Sequence, residues 1–411
     1  MTPAHSRWRI ALLMTALAML APFTLDTYLP SFPDIAAEFG AGPAAMQQTL
    51  SLYLLGFAAM TLVYGPLSDA FGRRPVVLVA LIGYVLASIG CALAPNMEVF
   101  LAMRVAQGMS AGAGTVIARA LVRDLYAGNE AQRVIGMMMM MFGAAPAVAP
   151  IIGGLLQDLA GWRSVFVFLS FLGLAVWVLT LKRMPETLPP IARVSIAPRF
   201  VLGSYWGAIR NPRFMGLTLA FACAFGGMFL YIAASPEIIY RLLGYGATDF
   251  WRLFLPLIFG IVLGGWLSGR LADRVPPARM VMAGLSLMGL AVLVNLAQAH
   301  WLPVHPVPAL GPLPLYSLGL ALLMPNLTVL ALDCYPYQRG MASAVQTFLQ
   351  LVGNSLVAAL MVAPLARHLA GLAAGMAVLW LSALALWGLW WWRYRVTLSI
   401  DPRSTGPENP A

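Results

Sequence analysis

Of 411 residues, 61% are hydrophobic and only 10% are charged, whereas soluble domains carry roughly 25% charged residues, which excludes a soluble enzyme. At about 20 apolar residues per membrane-spanning helix, the apolar 61% is enough for about twelve spans. The net charge of +10 would elsewhere hint at a nucleic-acid partner, but here it must first be read against the excess of Lys and Arg that membrane proteins keep on their cytoplasmic side.

In chain order, apolar runs predict spans at 10–32, 46–66, 75–94, 99–121, 134–157, 164–181, 214–235, 250–269, 280–298, 310–332, 340–364 and 371–392. Arg7 and Arg9 precede the first run as they would in a secretion signal. The run continues past Asp26 to Phe32 and eleven more follow, so an uncleaved first helix is expected. Cys91, Cys223 and Cys334 sit in or beside apolar runs without paired spacing, which excludes a disulfide framework and supplies no metal motif. No cofactor is expected.

With the N-terminus cytoplasmic, nineteen of the 25 Lys and Arg residues fall on the cytoplasmic side. Arg163, Arg241, Arg252 and Arg367 fall opposite, while Arg104 and Arg119 lie within a span. Both termini are therefore expected in the cytoplasm of a bacterial-type inner membrane. The basic charge is assigned to topology and anionic headgroups, not nucleic acid. The densest basic segment, 182–213, also carries five prolines and falls at mid-chain. It reads as a linker, dividing the chain into an N-terminal half (1–183), a cytoplasmic linker (184–211), a C-terminal half (212–398) and a cytoplasmic tail (399–411). An internal repeat agrees: Gly65-Pro66-Leu67-Ser68-Asp69 after helix 2 returns as Gly269-Arg270-Leu271-Ala272-Asp273 after helix 8. The expected fold is an all-α membrane protein with twelve transmembrane helices in two six-helix halves.

The first copy of that repeat continues as Ala70-Phe71-Gly72-Arg73-Arg74-Pro75. Its glycines permit a tight turn, Asp69 can face a helix N-terminus, and the arginines can reach carboxylates and headgroups. Helix 4 holds Arg104-Val105-Ala106-Gln107-Gly108, and helix 5 holds Pro146, Pro150, Gly153 and Gly154. A guanidinium inside a span must face a cavity or a partner, and prolines with small residues permit a bend and close packing. Together these strings resemble the signature loop, embedded arginine and antiporter motif of the drug:proton antiporters of the major facilitator superfamily. Asp26-Thr27-Tyr28-Leu29-Pro30, the 119–124 string RALVRD, Gly161-Trp162-Arg163 and Pro185-Glu186-Thr187-Leu188 resemble the bicyclomycin and chloramphenicol resistance subfamily. At positions 145 and 149 the antiporter motif departs from the family, with Ala where glycine is usual. The resemblance implies a latch of Gly65, Asp69, Gly72 and Arg73 that holds the two halves together in the outward-open state. The second copy of the loop lacks the glycine and paired arginines.

At about 1.5 Å per residue, Asp26 and Arg104 come to matching depths in the outer third of the membrane. Burial penalises the charge of a carboxylate and a nearby guanidinium stabilises it, so such a pair can exchange a proton when the spacing changes. A static ion pair, or a carboxylate capping helix 1 beside Pro30, is the competing reading. For substrate contacts the expected residues are Tyr28 and, on helix 11, Gln346, Gln350 and Asn354, which with Ser343 share one face. The same stripe would also serve as polar glue between helices. Asn295, Asn326 and the run Met137–Met141 are weaker candidates. Trp387, Trp390, Trp391 and Trp392 read as an interfacial anchor beside Arg393 and Arg395.

The chain has no G-x-x-x-x-G-K-[ST] segment for an ATP-driven pump and no Ser/His or metal constellation for an enzyme. The expected activity is exchange of external protons for small amphipathic drugs by a monomer in a lipid bilayer. The alternatives are a metabolite uniporter or symporter on the same fold and, more distantly, a receptor or scaffold.

Overall fold

The structure is a computed structural model that describes residues 4–189, 191, 193, 198–303 and 305–398. The 399–411 tail and Ser195 lie outside these residues. The first half comprises α1 (Ala4–Thr27), α2 (Phe32–Phe39), α3 (Pro43–Phe71), α4 (Arg73–Ala92), α5 (Met97–Leu125), α6 (Gly128–Ala160) and α7 (Trp162–Arg183). After α8 (Pro198–Arg210) follow α9 (Pro212–Ala233), α10 (Trp251–Leu271), α11 (Pro277–Trp301), α12 (Pro306–Leu310), α13 (Leu313–Leu332), α14 (Arg339–Leu356), α15 (Ala363–Leu365) and α16 (Leu369–Leu398). Leaving aside the short α2, α8, α12 and α15, twelve helices pack as two sets of six. Among the described residues, ten segments are long and apolar enough to cross a membrane, and α5 and α6 complete the twelve. The molecule is an all-α multi-pass membrane protein.

Local chemistry sets the helix ends. The side-chain oxygen of Asn96 accepts the Val99 amide at 2.9 Å to start α5, and Asn211 accepts the amides of Arg213 and Phe214 to start α9, both as N-caps satisfying orphan donors. Helix 1, expected to run to residue 32, stops at Thr27. Pro30 cannot donate to the carbonyl of residue 26, and its ring disfavours helix in the residue before it. A 3₁₀ turn at Leu29–Ser31 redirects the chain into α2. The segment expected as a linker contains the 13-residue helix α8. In the eleventh span the α-helix widens into a π-helix at Val357–Val362, just before Pro364, whose missing N–H breaks the α ladder.

The chain connections alternate between two faces. The segment joining the halves lies on one, here the linker face; the turns after α1, α4, α6, α9, α11 and α14 lie on the opposite, far face.

Candidate functional site

The two halves meet along a central seam that is sealed toward the far face. The Gln47 side-chain amide donates to the Ala233 carbonyl at 3.0 Å, Ser51 and Ser355 hydroxyls pair at 2.7 Å, and Tyr240 donates to the Pro30 carbonyl at 2.6 Å. Gly154 of α6 lies so close to the Ala247 and Thr248 backbone that a Cβ would overlap the Ala247 carbonyl oxygen. Toward the linker face, α8 reaches the first half through Tyr205, which donates to the Leu62 carbonyl at 2.7 Å.

Asp26 lies at the blind end of this seam. On α1, Leu12 is exposed, Ala16, Met19 and Pro22 are partly exposed, and Asp26 is 3% exposed. Steps of three and four residues put these positions on one face, and the other sides of α1 pack against α5, α6 and α7. The stripe therefore follows the seam inward and ends at the carboxylate. Asp26 Oδ1 has no hydrogen-bond partner among the described residues. Gly153 packs at the next residue, where a Cβ would strike the Thr27 carbonyl oxygen. Both glycines of the antiporter motif thus serve close approach, Gly153 within its half and Gly154 between halves. α6 remains helical through Pro146 and Pro150.

Arg104 is fully buried, but it does not meet Asp26. Its guanidinium lies over the rings of Tyr28 and Tyr53, 4.1 and 4.4 Å from their centroids. It donates to the Gln107 side-chain oxygen at 2.5 Å and to the Thr49 carbonyl at 3.4 Å, and Gln107 donates onward to Ser88 at 2.8 Å. Arg104 Nη2 lacks a partner among the described residues. Matching depth does not bring the pair together in this conformation. Tyr28 follows the last residue of α1 and, continuing its turn of about 3.6 residues, projects about half a turn away from Asp26, toward Arg104 of α5. Tyr28 itself is fully buried, hydrogen-bonded to Thr49 at 2.9 Å and packed on Phe32 and Phe166. In this state it belongs to the arginine's pocket.

The helix 11 stripe occupies α14. Gln346 and Asn354 are buried, Ser343 and Gln350 partly so, and Gln346 Nε2 and Asn354 Oδ1 have no partner among the described residues. Helix register relates them to Asp26. Gly114 and Thr115 touch Leu17 and Ala18, Gly108 touches Tyr53, and Ser51 touches Ser355. Counting about 1.5 Å per residue along these contacts sets Asp26 and Asn354 within about 2 Å of the same depth.

The signature loop forms a charge cluster at the linker end of the first half. Arg73 pairs with Asp69 at 2.5 Å and with Asp124 at 3.5 Å, and donates to the Ser68 hydroxyl at 2.6 Å. Glu186 accepts the backbone amides of Arg73 and Arg74, and Thr187 donates to Asp124 at 2.7 Å. Gly72 adopts φ +102°, and a Cβ there would lie 2.6 Å from the Glu186 carboxylate, so only glycine makes this turn without strain. Gly65 has open space where a Cβ would stand. These ion pairs join parts of one half. In this conformation the latch residues bridge no acid or base of the other half among the described residues.

Other expected contacts have structural partners. Asn295 donates to Tyr231 at 2.6 Å and Asn326 to the Leu322 carbonyl at 2.8 Å. Met138 is buried and Met137 partly so, while the side chains of Met139–Met141 lie outside the described residues. Two of the four tryptophans expected as an interfacial anchor turn into the helix bundle. Trp387 and Trp390 are buried and stack at 5.2 Å, with the Trp390 indole donating to the Arg213 carbonyl at 3.0 Å, whereas Trp391 and Trp392 are exposed. The alternate side of α16 packs on α9, which draws residues 387 and 390 inward.

Known proteins with similar sequences or folds agree with this architecture. The uncharacterized MFS-type transporter YdgK of Bacillus subtilis (strain 168) is 30% identical, over 86% of this chain and 88% of its own. The chloramphenicol resistance protein of Pseudomonas aeruginosa is 32% identical, over 78% and 77%. In fold, a bacterial homolog to the human lysosomal transporter Spinster, in its inward-facing and occupied conformation, superposes with a TM-score of 0.77 at 17% identity, covering 98% of this chain and 100% of that one. The Major Facilitator Superfamily model matches residues 14–358, and with two packed six-helix sets and the signature loop in place, the chain belongs to that superfamily.

Proposed function

We propose that this chain is a proton-coupled multidrug efflux transporter that exchanges external protons for cytoplasmic small amphipathic molecules by alternating access. The observation that carries this reading is the Asp26 carboxylate, whose Oδ1 has no partner among the described residues, at the closed end of a seam whose other wall presents the likewise unpartnered side-chain oxygen of Asn354 at the same depth. Ionisable groups inside a membrane mark ion or substrate pathways, and a carboxylate in the substrate's own cavity lets proton and drug compete. Its similarity to a chloramphenicol resistance protein supports the substrate class.

In this reading residues 1–183 and 212–398 are the rocking halves, 184–211 the linker and 399–411 the tail. Asp26 carries the proton, and Arg104 tunes it in another conformation through the turn after α1 that holds Tyr28. Gln346, Gln350 and Asn354 contact substrate, and Tyr28 joins them when that turn moves. The Asp69 and Arg73 cluster, turned by Gly72 and reached through Gly65, latches the halves when the linker face closes. Pro146, Pro150, Gly153 and Gly154 set the bend and packing of α6 that keep the seam tight. The protein works as a monomer in a bacterial-type inner membrane, with neither catalysis nor nucleic acid involved.

Expression in a host stripped of its own exporters should lower the steady-state accumulation of chloramphenicol, and a protonophore should restore it. Accumulation that is unchanged by expression, or unaffected by the protonophore, would contradict the reading.

Both termini and the linker are assigned to the cytoplasm on the distribution of Lys and Arg. With the native cysteines replaced, an impermeant external reagent should label His305→Cys and not Ser195→Cys in intact cells. The reverse pattern would overturn the orientation.

A further inference from the structure

Arg119 lies six residues before the linker end of α5, about 9 Å inside the helix, and is only partly exposed. Gly114 and Thr115 mark the side of α5 that packs on α1, and Gly108 and Gly112 the side that packs on α3. At 3.6 residues per turn Arg119 projects on the same side as Gly108 and Gly112, toward α3, the helix of the first half that packs on α14. Arg123, one turn on, reaches across: its Nη1 is 4.0 Å from where a Cβ on Gly340 of α14 would stand.

Neither arginine has a carboxylate partner among the described residues. Asp69 and Asp124 are held by Arg73, and Asp333 by Arg339 at 3.1 Å. Like charges four residues apart on a helix repel, so the pair weakens α5 unless something else uses it. Counting about 1.5 Å per residue from the Arg123–Gly340 approach, or from Ser51 and Ser355, places Arg119 opposite the Ser343–Gln346 turn of α14, within about 6 Å in depth. Gln346 is 5% exposed and its Nε2, a donor, has no acceptor among the described residues. Two walls of the seam thus offer a guanidinium without a carboxylate partner and an amide N–H without an acceptor, at one level and among the described residues.

We propose that Arg119 and Gln346 form a subsite for a carboxylate-bearing substrate, making organic acids a substrate class of this transporter. The inference rests on the export reading above and adds a charge preference to it. A guanidinium binds a carboxylate with two parallel, charge-assisted hydrogen bonds, which an ester cannot accept in the same way. The fixed positive charge at this level also disfavours permanent cations.

The test is uptake into everted vesicles of a matched pair of probes, an aminocoumarin carboxylate and its ethyl ester, with chloramphenicol as a third substrate. In wild type the KM for the carboxylate should be about tenfold below that for the ester, the scale of one charged hydrogen bond. In Arg119→Gln the ratio should fall to about one, and Arg119→Lys should keep an intermediate ratio, since it retains charge without the fork. The ratio within each variant is the readout, so a lower yield of folded protein does not alter it. A wild-type ratio of one or less, or a ratio unchanged in Arg119→Gln, overturns the subsite. Transport of chloramphenicol without transport of the carboxylate overturns the subsite alone, whereas transport of none of the three overturns the export reading with it.

Discussion

Asp26→Asn should abolish drug export against a concentration gradient while leaving drug binding within a few-fold of wild type. One elementary charge crossing 100 mV is worth about 2.3 kcal/mol, and a protein can use that energy only if a group in the shared cavity carries the proton. Asn has the size and hydrogen-bonding capacity of the protonated acid but does not titrate. The structure explains why the exchange should spare folding: Asp26 makes no ion pair among the described residues, and its Oδ1 is unpartnered, so no buried partner is stranded. Everted vesicles energised by a pH gradient provide the measurement. Uphill export by Asp26→Asn would make Asp26 structural and send the search for the coupling carboxylate to Asp124 or Glu237.

The second large effect is expected from neighbouring glycines with different partners. Gly154→Val inserts atoms between α6 and the Ala247 backbone of the other half, where no flexible side chain can yield. Overpacking of this kind costs about 1–3 kcal/mol, and because the clash exists only while the far face is closed, it should shift the population toward the far-open state by roughly tenfold or more. Ser235, fully buried at that seam, reports the shift. In a Ser235→Cys background, labelling by an external reagent should rise in Gly154→Val, and export should fall because the cycle must return through the closed far face. Gly153→Val meets the Thr27 carbonyl of its own half, so it should lower thermal stability without raising that labelling. Equal labelling with and without Gly154→Val would contradict the gate.

Much of this molecule was legible in its composition and spacing. Apolar runs marked twelve spans because a bilayer demands about 20 apolar residues wherever a helix crosses. The loop at 65–75 and the pair Gly153 and Gly154 stood out because tight turns and close backbone approach accept few residue types. Depth was legible too, since rise per residue is fixed. Azimuth was less so: Asp26 and Arg104 match in depth, yet Pro30 ends α1 early and Tyr28, not Asp26, projects toward Arg104 of α5. Trp387 and Trp390 looked interfacial by position and are drawn inward by a packing partner distant in sequence. The helix α8 was hidden in a proline-rich basic segment because its amphipathic face is short. Arg119 was visible within a span, but only the register between α5 and α14 places it opposite an unpartnered amide.

The central claim is that proton and drug are linked through Asp26. The most direct measurement is the proton release that follows drug addition to purified protein in weakly buffered detergent solution, followed with a pH dye. Wild type should release protons in proportion to drug bound and Asp26→Asn should release none while still binding drug. Release that is absent in wild type, or undiminished in Asp26→Asn, would contradict the linkage.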